Sequence, residues 1–215
     1  MTRQLAGAAG IGFAVLIVAL NIVLVPAGMP TTGTGTAEAL TFFDGHATVV
    51  RVAAAVAPVA WVLATLFGAG LVAELRSAWS VAGFAGLLMQ NLTFTGVMAT
   101  RLALTSTPDP GLWALHDALF VFNGTFLALA MLGLSLAGLH AGLIRRWQAG
   151  LGLTAAALQF ASAVLGPLVI ENPGPIGLLG LVGWLLWVVW LIAYGVALLR
   201  PSVRFGARRP AFSDR

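Results

Sequence analysis

The chain has 215 residues, 60% hydrophobic and 8% charged, with a mean hydropathy of +0.98 and a net charge of +4. A soluble domain carries roughly 25% charged residues, so this composition excludes a soluble enzyme, a nucleic-acid module and a disordered chain. Cysteine is absent, which removes disulfides, thiolate metal sites and cysteine nucleophiles from consideration.

The eighteen charged residues divide the sequence, and the gaps between them carry the signal. Charge-free stretches of 34, 22, 24, 27, 24 and 28 residues follow Arg3, Arg51, Arg76, Asp117, Arg146 and Glu171. A helix needs about 20 apolar residues to cross the hydrocarbon core. Each gap reaches that length once, and none holds two crossings with a loop. The pattern predicts an all-α bundle of six transmembrane helices over 5–26, 49–75, 78–102, 112–143, 148–170 and 175–199. The runs lack the period-two alternation of barrel strands. The first run is too long for a signal-peptide core and has no good cleavage site, so it is expected to be a retained span. Pro58 and Pro167 should kink the second and fifth spans.

Six crossings place the amino terminus, the 2–3 and 4–5 turns and the carboxyl terminus on one side. That side holds nine arginines: Arg3, Arg76, Arg145, Arg146, Arg200, Arg204, Arg208, Arg209 and Arg215. The other holds two, Arg51 and Arg101, with the acids Glu38, Asp44, Asp109, Asp117 and Glu171. The positive-inside rule then makes both termini cytoplasmic. The external 1–2 loop, 27–46, is rich in Gly and Thr and reads as a flexible cap. Residues 201–215 read as a basic, disordered cytoplasmic tail. Spans 1–3 show no residue match to spans 4–6, so an inverted repeat has no support.

Polar side chains inside lipid are costly and mark either helix contacts or function. Gln90 and Asn91 in the third span and Gln159 in the fifth fall near mid-bilayer. Gln90, Val97 and Arg101 share one face by i, i+7, i+11 spacing. A second constellation gathers towards the external side: Asp44, His46 and Arg51 before the second span, Arg101 at the end of the third, His116 and Asp117 opening the fourth, and Glu171 after the fifth. His116 and Asn123 share a face. The arrangement predicts that Arg51 or Arg101 pairs with Asp44, Asp117 or Glu171, and that His116 and Asn123 line the same depression.

His46 and His116 are the weak candidates for a metal or a bis-histidine haem, but no ligand spacing supports either. No metal and no cofactor is expected. Gly174, Gly177, Gly180 and Gly183 recur every three residues into the sixth span and would admit a membrane-protein partner. Trp184, Trp187, Trp190 and Tyr194 crowd the same helix as an aromatic wall or as packing. No phosphate loop, zinc-protease, nucleophile-elbow or dinucleotide motif is present.

Several stretches resemble a bacterial membrane family. These are the Gly/Ala-rich first span after Arg3, His46 and Arg51 leading into the second, Leu115-His116-Asp117-Ala118-Leu119, and the turn 142–152, Gly-Leu-Ile-Arg-Arg-Trp-Gln-Ala-Gly-Leu-Gly. Together they are similar to the DUF4386-like family of six-helix integral membrane proteins. The resemblance implies the fold and the membrane location, and it carries over no catalytic residue. The expected function is binding or transport of a small or lipid-like ligand through an external polar pocket. Its candidate residues are Arg51, Arg101, His116, Asp117, Asn123, Glu171, Gln90, Asn91 and Gln159. The alternative is an accessory or structural membrane subunit, and an enzyme ranks below both. The expected partners are the lipid bilayer, that ligand and a protein docked on the sixth span. Nucleic acid is not among them.

Overall fold

The computed structural model describes residues 2–200; the predicted tail, 201–215, lies outside them. The described chain is all helical. In order, the elements are α1 (Arg3–Leu24), α2 (Thr36–Gly45), α3 (Ala47–Leu75), α4 (Ala78–Leu104), α5 (Pro110–His140), α6 (Arg146–Val164), α7 (Gly166–Glu171), a single 3₁₀ turn (Pro175–Gly177) and α8 (Leu178–Leu199).

Five segments are long and apolar enough to cross a membrane: α1, α3, α4, α5, and Pro175–Leu199, which holds α8. The protein therefore has the make-up of a multi-pass membrane protein. In lipid, helices are the way for a crossing segment to satisfy its own backbone.

The helix ends have local causes. Ser77 caps α4 by accepting from the Ser80 amide while the Ser80 hydroxyl accepts from the Ser77 amide, a reciprocal box that satisfies two otherwise orphaned donors. Asp109 accepts from the Leu112 amide, and Pro110 opens α5 where no amide is needed. Arg76 ends α3 in the left-handed region at φ 44°, a conformation usually left to glycine. The two prolines behave differently. α3 continues through Pro58, whereas the helix breaks at Leu165, just before Gly166-Pro167, separating α6 from α7.

The long helices close into a ring. α1 packs on α3, α3 on α4, α4 on α5, α5 on α6, α6 on α8, and α8 returns to α1. The start of α1 meets the end of α8, where Arg3 Nη2 donates to the Ala197 carbonyl at 2.8 Å. At the same end Gln148, in the first turn of α6, donates to the Ala193 carbonyl of α8. Further along, Gln159 donates to Gly180 near the opposite end of α8. The α6–α7 segment thus runs antiparallel to α8 along the bundle.

Small residues set how closely the ring closes. An added Cβ on Gly83 of α4 would lie 2.7 Å from the Leu134 amide nitrogen, and one on Gly133 of α5 would lie 2.6 Å from the Gly83 Cα. The two backbones touch, which in lipid replaces the hydrophobic drive available in water. The interior is filled by Phe13, Phe67, Leu71, Met131, Leu134, Trp187, Trp190, Leu191 and Tyr194. Phe67 meets Trp190 and Tyr194 edge-on, and the Tyr194 hydroxyl donates to the Leu134 carbonyl. Three of the four aromatics of the last span, Trp187, Trp190 and Tyr194, are therefore core residues.

The segment expected to be a flexible cap is corrected by α2. Its Ala39, Phe42 and Phe43 bury against Val50, Leu104 and Trp113. Ten helical residues consequently lie across one mouth of the bundle. An apolar face of three side chains, too short to span a bilayer, still suffices to anchor a helix over the ends of α3, α4 and α5.

Candidate functional site

Under that cap the structure assembles three of the expected residues. Arg101, in the last turn of α4, donates from Nε to His116 Nε2 at 2.9 Å. His116 Nδ1 is 3.2 Å from Asp117 Oδ1. A guanidinium can only donate, so Nε2 must accept and the neutral ring carries its proton on Nδ1, facing the carboxylate. The order of the network follows: Arg101 to His116 to Asp117. It is deeply enclosed, with Arg101 8%, His116 2% and Asp117 3% exposed.

Each member is held by neighbours. Trp113 stacks on His116 at 4.7 Å with the planes 13° apart, and Phe120 lies on the same face of α5 with its ring 6.0 Å away. Arg101 Cζ sits 5.8 Å from the ring centroids of both Phe94 and Phe120, within cation–π range. Arg101 Nη1 reaches the Met98 sulfur at 3.9 Å.

The connection after α1 forms a roof. The Gly33 amide donates to Asp117 Oδ2 at 3.1 Å, and the Trp113 indole donates to the Thr34 carbonyl at 3.1 Å. Gly33 has φ 82°, and a side chain there would also run into the Val169 carbonyl and Pro173. Position 33 thus needs glycine for both its backbone and its space.

The other candidates are placed differently. Arg51 is exposed and donates weakly to the Thr105 hydroxyl and carbonyl, at 3.4 and 3.5 Å. Glu171 is exposed at the end of α7. The expected ion pair from Arg51 or Arg101 to an acid is corrected. Among the described residues the only pairs within 4.0 Å are Arg3–Glu74 and His116–Asp117, so Arg101 reaches Asp117 only through the imidazole. Asn123 is buried two turns along α5 with its Oδ1 unpartnered, inside the helix packing rather than beside an open depression.

Gln90 is likewise buried with Oε1 unpartnered. Asn91 turns to α3, donating to the Trp61 carbonyl and the Thr65 hydroxyl. Gln159 ties α6 to α8. His46 stacks on Phe42 at 4.6 Å. No three His, Asp or Glu side chains converge among the described residues.

Gly180 and Gly183, read as a docking stripe, face α6. A Cβ at Gly180 would meet Ser162, and one at Gly183 would meet Leu158 and Gln159.

Sequence reasoning missed Trp113, Phe120, Phe94, Met98 and the Gly33–Thr34 roof. Helical spacing held part of the signal, since Trp113 and Phe120 are i−3 and i+4 from His116 and so share its face. Nothing in the sequence marked Gly33 as the partner of a residue 84 positions away.

Comparison with family models, with curated proteins and with solved structures finds no match, so the site rests on its own geometry.

Proposed function

We propose that this is a six-span integral protein of a bacterial plasma membrane, with both termini cytoplasmic, that binds a small or lipid-like ligand at the external end of α4 and α5. One observation carries the reading. A guanidinium enclosed near the end of α4 touches an imidazole, a thioether and two aromatic rings but, among the described residues, no carboxylate within 4.0 Å. A basic side chain this near a helix end ordinarily snorkels to water, so one enclosed there is a candidate for function.

The topology is supported by the start of α1 and the end of α8 lying at the same end of the bundle, which calls for an even number of crossings. The α6–α7 segment is the sixth. At 19 residues, α6 rises about 28 Å, close to the roughly 30 Å of the hydrocarbon core. The arginine distribution sets the orientation. The accessory-subunit reading, which rests on the missing motifs and on the glycine stripe, is the weaker one, because Gly180 and Gly183 of that stripe face α6.

The absence of native cysteine makes the topology test direct. Single cysteines at Thr36 or Asp109 should react in intact cells with a membrane-impermeant maleimide, and those at Ser77 or Gly142 only after permeabilisation. The reverse pattern would overturn the orientation. For binding, purified protein is screened by thermal unfolding against a panel of lipids and metabolites. At least one compound should stabilise the native chain and lose its effect in His116→Ala. A stabilising compound whose effect survives that change would move the site elsewhere.

A further inference from the structure

Arg101 runs the wrong way for an arginine near a helix end. It lies three residues before Leu104, the last residue of α4, about 4.5 Å of rise. A long basic side chain there ordinarily snorkels outward to water. This one turns back along its helix to Met98 and to the Phe94 ring seven residues earlier. Its Nη2 has no hydrogen-bond partner among the described residues.

Two directions of approach differ sharply. From the aqueous side the network lies beneath Trp113, which is 3% exposed, and beneath the Gly33–Thr34 segment hydrogen-bonded to Asp117 and Trp113. From the lipid side the boundary is the seam between α4 and α5. There Phe94 and Phe120 face each other at 6.3 Å, and Phe120 is 39% exposed. On the bilayer side the charge is therefore bounded by two aromatic rings, one of them partly exposed, and on the aqueous side by hydrogen-bonded chain.

We infer that Arg101 receives the anionic headgroup of a membrane phospholipid, entering sideways along the α4–α5 seam with Phe94 and Phe120 against its upper acyl segments. This rests on the external-site reading above and names its ligand class. The guanidinium supplies donors that match phosphate oxygens. Its depth, within a turn of the helix end, is that of the headgroup boundary rather than the bilayer centre. His116 fixes Nε and the Met98 sulfur lies at Nη1, which leaves Nη2 for the ligand. Asp117 lies behind the imidazole, where it partly balances the charge without occupying the site.

The test is thermal unfolding in an uncharged detergent with added phosphatidylglycerol, phosphatidylcholine or inorganic phosphate. Phosphatidylglycerol should raise Tm by several degrees, on the order of 5 °C at saturation, and the other two should not. Arg101→Gln should abolish the shift. Phe120→Ala, at a side chain facing lipid, should fold and lose at least half of it, which covers the case where Arg101→Gln does not fold. Equal stabilisation by phosphatidylcholine, or a phosphatidylglycerol shift unchanged in the variants that fold, would overturn the inference. Stabilisation by inorganic phosphate that needs Arg101 would overturn the lipid source yet leave the external site standing. A neutral ligand lost in His116→Ala but indifferent to Arg101→Gln would also separate the two.

Discussion

The two ends of the bundle each hold an arginine and an acid, and they handle the charge in opposite ways. At one end Arg3 reaches Glu74 directly, at 3.8 Å, with side chains 23% and 42% exposed. That pair rims a polar depression of about 240 Å³ with Ala141, Gly142 and Leu143. At the other end Arg101 reaches Asp117 only through His116, and all three are enclosed. Solvent screens the first pair, so its removal should matter little. The second is removed from water, and each member depends on the others to remain satisfied. A solvated charge needs no further explanation here. An enclosed one does, and the missing direct acid partner on Arg101 is what points to a ligand.

Breaking the enclosed network should give the largest effect. Asp117→Ala removes the acceptor of both His116 and the Gly33 amide and leaves Arg101 without nearby negative charge. By analogy with broken buried pairs it should cost about 3–5 kcal/mol, read as a lower Tm in detergent and earlier proteolysis within the Pro30–Gly35 roof. A loss below about 1 kcal/mol would put Asp117 in the same class as Glu74.

The seam that carries the network can be probed without touching its charges. Gly83→Leu forces a side chain against the backbone of Leu134 and should destabilise by about 1–3 kcal/mol or more. Phosphatidylglycerol should still stabilise whatever fraction folds, since Gly83 sits well away from Phe94. The smallest effect is expected at the other end. Glu74→Gln should change stability by no more than about 1 kcal/mol, and added salt should erase most of that difference. A larger loss would mean that the exposed pair is structurally as important as the enclosed one.

Much of this architecture was legible because charges are so rare that they punctuate the spans. Arg101 could be placed on an inward face, since it continues the stripe of Gln90 and Val97. Arg51 looked equivalent, but it lies next to Val52 on an exposed face of α3 and turns to Thr105 instead. The helix inside the connection after α1 was hidden because Ala39, Phe42 and Phe43 are too few to announce a span, and a Thr/Gly run precedes them. The direct ion pair failed as an expectation for a geometric reason. Charge counting sees which acids lie at one level, but not that an imidazole ring stands between Arg101 and the nearest of them. The Gly33 contact depends on long-range closure of the loop onto α5, which no local pattern encodes.

The contrast between the ends reduces to whether Arg101, and not Arg3, holds an anionic lipid. Protein extracted from a membrane rich in phosphatidylglycerol, washed in neutral detergent and analysed by native mass spectrometry tests this most directly. The native chain and Arg3→Gln should both retain a bound phosphatidylglycerol, and Arg101→Gln and Phe120→Ala should retain markedly less. Equal retention in Arg101→Gln, or a loss confined to Arg3→Gln, would contradict the account.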